Sequence, residues 1–445
     1  MIMTMCRSLA VIAAGLAGSQ GLAQEARPIL FTNVSVFDGV NEALIEDANV
    51  VVTGNLITAV SAEPLAVANG VVIDGGGRVM IPGLIDAHWH TSYCCAAQST
   101  VVNGDILEIA IRGALGSEAT LMRGFTTVRD VGGNPFATKK MIDAGEIAGP
   151  RILPSGPPIG QTGGHFDYRP YQAVPTNPGD SQWYWYGVGL MAMADGVPEV
   201  LKRAREVMRM GASQLKISGG GGVSSVYDPL DVRQFSLAEL EAFVEVAQSY
   251  NTYVASHLFT DEAIQLAIRA GVKSVEHGFL ASRETMEMMR DNDAWLSIQP
   301  LLDDEDGFSF DDPVSQAKWI AVTNGTDRAY RMAKEVGVKV AFGTDILFDP
   351  ALAERQGAFL AKLQRWYTPY EVLKMATSGN AGLLELSGPR HPYQEGPLGV
   401  IAEGAYADLI LVDGNPLEDI DLVADPEAHF DLIMKDGVIY RNRLE

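Results

Sequence analysis

Apolar and polar positions follow two different rhythms along this chain, and the change from one to the other divides the molecule. From Ile29 to about Ile81, short alternating runs are broken by Gly, Asn and Asp turns, and Val50 to Val60 reads as a β-hairpin turning at Gly54-Asn55. The same rhythm returns in Gly404 to Val412 and in Leu432 to Tyr440. Two β-rich ends around a different middle predict one small β domain assembled from both ends of the chain.

The middle alternates short apolar runs with amphipathic stretches, the pattern of parallel strands joined by crossover helices. Strands are predicted at 84–90, 126–131, 151–156, 214–218, 252–257, 274–278, 295–300 and 340–345. The intervening helices carry start and stop signals. Ser236 with Glu239 forms a capping box ahead of a run to Tyr250, and a helix beginning at Thr260 with Asp261 and Glu262 stops at Gly271. Eight such units in about 260 residues have the size of a (β/α)8 barrel. The expected fold is therefore α/β: a (β/α)8 TIM-type barrel over residues 83–397, with a small β-sandwich domain built from 24–82 and 398–445.

Two insertions interrupt the alternation. One, from about Pro157 to Val197, contains Gly163-Gly164-His165 and the cluster Trp183-Tyr184-Trp185-Tyr186. The other, Leu301 to Asp312, is acidic but lacks the alternating spacing of a calcium loop, and is expected to be solvated.

Composition narrows the partners. With 47% hydrophobic residues the 445-residue chain can bury a sizeable core, and a net charge of −23 makes nucleic acid and anionic membrane surfaces poor partners. Arg7, the apolar stretch Leu9 to Leu16 and the small residues Gly21-Leu22-Ala23 read as a cleavable signal peptide over residues 1–23. The expected location is thus periplasmic or secreted, and no later segment reads as a membrane span. Cleavage would remove Cys6. Cys94 and Cys95 are adjacent, where a mutual bridge is strained, and are expected as small buried thiols.

The candidate chemistry begins at His88-Trp89-His90. On an extended segment two residues separated by one share a face, so both imidazoles point to one place. In a barrel the C-terminal strand ends converge on a single mouth. The predicted ends present His88 and His90, then Lys216, His257, His277 and Asp345. The chain has seven histidines; four lie at these ends and His165 lies just past the third strand, with His391 and His429 left for the C-terminal region. Imidazoles with a carboxylate suit Zn2+, with Mn2+ or Co2+ as substitutes. Asp345 can both ligate and carry a proton between attacking water and leaving group. An ammonium among cations is out of place, so Lys216 makes sense as a CO2-derived carbamate bridging two divalent metal ions.

These residues resemble the metal-dependent amidohydrolase superfamily from about Ile29 to Tyr440. The resemblance rests on Ile81-Pro82-Gly83-Leu84-Ile85-Asp86-Ala87-His88-Trp89-His90, Gly124-Phe125-Thr126-Thr127-Val128-Arg129-Asp130, Ser274-Val275-Glu276-His277-Gly278 and Gly404-Ala405-Tyr406-Ala407-Asp408-Leu409. Within it the chain is similar to the imidazolonepropionase-like branch, which includes secreted Xaa-Pro dipeptidases and ochratoxin-hydrolysing carboxypeptidases; Gly163-Gly164-His165 matches a segment of that branch. Lys216 argues against imidazolonepropionase activity itself, which uses a single metal and lacks the bridging lysine.

The resemblance implies a catalytic role for Asp345 and His165, the latter contacting the scissile carbonyl or the substrate carboxylate. It suggests Tyr227, after Gly219-Gly220-Gly221-Gly222, as a substrate contact. Arg169 is a candidate partner for a substrate carboxylate. Trp183 and Trp185 are candidates for an apolar substrate wall, or equally for a subunit contact. The implied function is a binuclear hydrolase cleaving the amide bond to a C-terminal amino acid through a metal-bridging hydroxide. Its substrates would be Xaa-Pro or other dipeptides and N-acyl amino acids with aromatic acyl groups, ochratoxin-type amides included. Alternatives are a lactone, cyclic amide or phosphotriester hydrolase at the same site, and a non-catalytic binding protein on this fold. Relatives in this branch also imply a homo-oligomer, often an octamer.

Overall fold

The computed structural model describes residues 27–170, 172–173, 183–225 and 227–444. The segment read as an export signal, 1–23, lies outside the described residues. In chain order the strands are β1 Ile29–Val36, β2 Ile45–Thr53, β3 Leu56–Ser61, β4 Val71–Pro82, β5 Leu84–Trp89, β6 Phe125–Asp130, β7 Arg151–Pro154, β8 Ile159–Gly160, β9 Ala192–Met193, β10 Leu215–Ser218, β11 Val254–Leu258, β12 Ser274–His277, β13 Trp295–Ile298, β14 Lys339–Phe342, β15 Leu409–Val412, β16 Phe430–Lys435 and β17 Val438–Asn442.

Both chain ends enter one seven-stranded sheet in the order β17-β16-β15-β4-β1-β2-β3. The join is β4 against β15, antiparallel, with Leu409 opposite Pro82 and Val412 opposite Val79. Alternation along these strands decides where each side chain goes. Met80, Leu409, Leu411, Leu432 and Met434 enter a separate core on one face of this sheet with Phe31 and Val50. Their neighbours Val79, Ile81, Ile410, Val412 and Ile433 pack into the large core shared with the parallel strands. Two faces buried against different partners explain why these segments read as unbroken apolar runs. A polar tie reinforces the same junction: buried Arg151, at the start of β7, pairs with Asp408 and Asp436.

The remaining strands are parallel, in the orders β5-β6-β7 and β14-β13-β12-β11-β10-β8-β9. The two sheets meet through β7 and β8, because β7 pairs with β6 while β8, after a four-residue break, pairs with β10 at Ile159 and Ile217. The strand expected at 151–156 thus ends at Pro154, and β8 lies in the stretch expected as an insertion. Between β14 and β5 side chains and single contacts replace a ladder. The Asn380 amide donates to the carbonyls of Ile85 (2.7 Å) and Phe342 (2.8 Å), its oxygen accepts from Phe342 N–H, and Asp345 N–H donates to the His88 carbonyl (2.8 Å). Gly343 allows this approach, since a Cβ there would lie 2.3 Å from His88 Cβ.

The predicted helix signals are realised. Ser236 and Glu239 form a reciprocal capping box on Leu237–Ser249, and Asp261–Ala270 ends on left-handed Gly271 (φ 101°). The acidic insertion differs from expectation. Asp306 is buried and pairs with Arg355 and Lys362, and Asp304 also reaches Lys362. These pairs hold the loop down, because two cations on Arg355 and Lys362 lie beneath it. Among the described residues no helix is long and apolar enough to cross a membrane.

Candidate active site

Six residues expected at the strand ends do converge. His88, His90, Lys216, His257, His277 and Asp345 line one cavity of about 300 Å³, together with His165. Asp345 is central: its Oδ1 lies 3.1 Å from His88 Nε2 and 3.0 Å from His90 Nε2, and its Oδ2 lies 3.8 Å from His277 Nδ1. Two of these residues pay in backbone conformation, with φ of 80° at His277 and 53° at Asp345. Left-handed backbone at a non-glycine residue persists only where surrounding structure imposes it, and it concentrates at functional sites.

Each imidazole has one nitrogen engaged away from the centre. His88 Nδ1 lies 2.8 Å from Glu276, His90 Nδ1 3.2 Å from the Gly132 carbonyl, His257 Nε2 3.1 Å from the Gly221 carbonyl and His277 Nδ1 2.7 Å from Gln299 Oε1. An acceptor on one ring nitrogen fixes the proton there and leaves the other nitrogen with a lone pair, the arrangement a metal ligand requires. Ring packing adds order, with His257 and His277 centroids 4.4 Å apart and His88 and His277 centroids 5.0 Å apart.

Charge state follows from burial. Desolvation, with the neighbouring His165 and His277, holds His257 well below its ordinary pKa; desolvation, with the neighbouring His88 and Lys216, brings His277 to about 3 despite the pull of Asp345. Both rings are neutral, as ligation demands. Burial lowers the Lys216 amine to about 8, opposed by Glu276 and Asp345. Burial alone would raise Asp345, but His88, His90 and His277 outweigh it and keep the carboxylate ionised.

The donor set therefore fits a divalent cation. The atoms of His88, His90 and Asp345 lie within 4.8 Å of one another, the one such His/Cys/Asp/Glu group among the described residues. Lys216, His257 and His277 share the cavity, but an amine and two imidazoles do not make a second group of that kind.

His165 follows β8 and stacks on His257, with centroids 4.0 Å apart and planes 16° from parallel. Its Nδ1 lies 2.7 Å from Ser225 Oγ. Burial first, then the neighbouring His277 and Lys216, bring its pKa to about 3, so the ring is neutral.

Four expected substrate contacts do not line the cavity that holds the metal-ligand candidates. Trp183 and Trp185 stack on each other with centroids 5.3 Å apart, and Trp185 is wholly buried with its indole N–H on the Val102 carbonyl (3.0 Å). They pack the base of the insertion, because large rings beside the apolar helix ends near Val101 and Ile109 bury more surface inward than toward the cavity. Arg169 is committed to Asp167 through two hydrogen bonds of 2.7 and 2.6 Å. Tyr227 is 52% exposed and, like Arg169, faces a neighbouring hollow that the metal-ligand candidates do not line.

The wall is made elsewhere. Phe308 and Phe310 of the acidic loop, Trp319 behind them, and Phe259, Phe279 and Phe348 line the cavity. The aromatic content of the acidic loop was the available signal, masked by its charges. Glu276, Arg129 and Gln299 also escaped sequence reading. Arg129 donates to both Glu276 oxygens at 2.8 Å while Glu276 holds His88. Gln299 follows β13, a position at which strand-end reasoning could have found it. The adjacent Cys94 and Cys95, expected as thiols, are joined as a disulfide in the turn after His90.

Residues 79–441 match the amidohydrolase family model. The chain is 34% identical over 367 residues to ochratoxinase from Aspergillus niger, covering 79% of this chain and 73% of that protein. Among solved structures it is similar to a prolidase complexed with N-methylphosphonate-L-proline, with a TM-score of 0.85 and 32% identity over 93% of this chain and all of that one. It is also similar to a Xaa-Pro dipeptidase with methionine bound in the active site, with a TM-score of 0.81 and 28% identity over 93% of this chain and 100% of that one.

Proposed function

The chain belongs to the amidohydrolase family and is a hydrolase of amide or peptide bonds; from that premise we propose that it cleaves the bond to a C-terminal amino acid. The substrates we propose are dipeptides, Xaa-Pro included, and N-acyl amino acids with aromatic acyl groups. The architecture proposed with it is a closed (β/α)8 barrel over residues 83–397 and a composite β domain from 24–82 and 398–445, exported by the leader at 1–23. The observation that carries the reading is one cavity lined by four imidazoles, Lys216 and Asp345, each ligand imidazole anchored outward through its other nitrogen. The printed activities of the relatives support the choice of bond.

Divalent ions, most simply Zn2+, would be held by His88, His90 and Asp345 and by His257, His277 and Lys216 as its carbamate; when bound they make water more acidic and polarise a carbonyl. The carbamate supplies the anionic donor that the second group of residues lacks. The remaining chemistry belongs to the chain. Asp345 accepts a proton from the attacking water as its oxygen joins the carbonyl carbon, then returns that proton to the amide nitrogen as the carbon–nitrogen bond breaks. His165 donates from Nε2 to the carbonyl oxygen as negative charge develops there. Phe308, Phe310 and Trp319 exclude water and offer an apolar face to the acyl group or the amino-acid side chain.

A panel of dipeptides and N-aroyl amino acids, assayed with Zn2+ by product chromatography, tests the proposal. Asp345→Asn is expected to lower kcat/KM by about 10²–10⁴-fold. Undiminished amide hydrolysis by the metal-replete variant would sink the mechanism.

A further inference from the structure

Behind the cavity wall, Lys318 sits on the helix Pro313–Val336, one position before Trp319. It is 7% exposed, and its ammonium donates to the carbonyls of Gly222 (2.8 Å), Ser225 (2.6 Å) and Asp228 (2.8 Å). A lysine has three N–H donors, so each is spent on the glycine-rich loop that follows β10. A buried ammonium is costly to desolvate, and a methionine would pack there without that cost. What the lysine adds is the gathering of three carbonyls at one point.

The far side of the same loop touches the reacting region. Ser225 Oγ meets His165 Nδ1 at 2.7 Å, and the Gly221 carbonyl meets His257 Nε2 at 3.1 Å. Asp228 Oδ2 accepts from Gly222 N–H at 2.8 Å and from Gln234 Nε2 at 3.2 Å, and Gln234 Oε1 accepts from His165 N–H at 3.1 Å. Gly222 lies so close that a Cβ would fall 1.9 Å from His165 Nδ1. The loop is thus a cradle, with Lys318 on one side and His165 on the other.

We propose that Lys318 is a positioning residue: by tying three loop carbonyls it holds the Ser225 hydroxyl on His165 Nδ1 and keeps His165 Nε2 as the nitrogen offered to substrate. Its effect on catalysis rests on the amide-hydrolase reading for His165; its effect on the loop does not.

The test compares Lys318→Met, Lys318→Arg and Ser225→Ala in the full chain with Zn2+, and repeats Lys318→Met in a His165→Ala background. Lys318→Met is expected to lower kcat by about 10- to 100-fold with KM little changed, the scale of losing a supporting contact behind a catalytic group. Lys318→Arg restores part of that loss, Ser225→Ala reproduces it, and Lys318→Met causes no further loss once His165 is gone. Hydrogen–deuterium exchange over residues 219–228 rises in Lys318→Met. Wild-type kcat in folded Lys318→Met, or an equal loss in the His165→Ala background, overturns the proposal. Should Lys318→Met fail to fold, Ser225→Ala decides, and wild-type kcat in that variant overturns it. If the wild-type protein hydrolyses no amide, the proposed function fails, while unchanged loop exchange in Lys318→Met would overturn the clamp independently.

Discussion

At the scale of single residues the most heavily committed side chain is Glu276. It is wholly buried, receives both hydrogen bonds from Arg129 and a third from Ser274, and orients His88. Burial would raise its pKa, but Arg129 and His88 hold it well below the carboxylate range. Glu276→Gln keeps the shape and removes the charge, leaving a fully buried guanidinium without its counter-charge. The expected cost is about 3–5 kcal/mol of stability by denaturant titration. Metal affinity should also fall by about 10- to 100-fold, because the amide leaves a single, uncharged acceptor oxygen where a carboxylate held the His88 proton. An unchanged unfolding midpoint would refute this account. The sequence contains both partners, in Thr126-Thr127-Val128-Arg129-Asp130 and in Ser274-Val275-Glu276-His277, yet the pair spans 147 positions. Strand periodicity places a side chain on a face; it does not say which distant side chain will meet it. That is why the candidate ligands were legible and their supports were not.

At the scale of elements, the helix Pro313–Val336 joins three functions. Asp312 caps it, Trp319 lines the cavity, and Asp327 ties its middle to the segment Lys362–Arg365. Asp327 accepts from Arg365 at 2.7 and 2.8 Å and from the Trp366 indole at 2.9 Å. The Arg365 bonds come first among the causes that lower its pKa to about 2, below an ordinary value of 3.8. Between those two pH values the unfolded chain binds more protons than the folded one, so the stabilisation is complete above about 3.8 and is lost as pH falls through about 2. Because the pair is partly exposed, Asp327→Asn should cost no more than about 1 kcal/mol near neutrality. That difference should vanish as the two proteins are titrated toward pH 2. A gap that persists at the acid end would assign the effect to packing. The preceding loop shows what element-level reading misses. Its acid run reads as solvent-facing, but Asp306 goes inward to Arg355 and Lys362, and the loop's two phenylalanines become cavity wall.

At the scale of the molecule, the cavity gathers candidate ligands from β5, β10, β11, β12 and the turn after β14, elements that only folding brings together. Metal binding should therefore stabilise the folded chain. At a free Zn2+ concentration about 100-fold above Kd the gain is about 2.7 kcal/mol, read as a rise in the thermal midpoint that EDTA reverses. The doubly substituted His88→Ala, His90→Ala protein should lose most of that response. A wild-type midpoint indifferent to both Zn2+ and EDTA would count against a metal site.

The sequence by itself determined the alternation of parallel strands and helices, the return of both chain ends to one sheet, and the six residues at the strand ends. Each of these depends on local periodicity or on a rule of where strand ends converge, and both are written in residue order. Tertiary structure alone decided which face of the cavity is aromatic, that Trp183 and Trp185 turn away from it, that Arg169 is spent on Asp167, and that Lys318 reaches under the loop of His165. Those outcomes depend on which surfaces compete for burial and which charges find partners first, and residues far apart in sequence settle both.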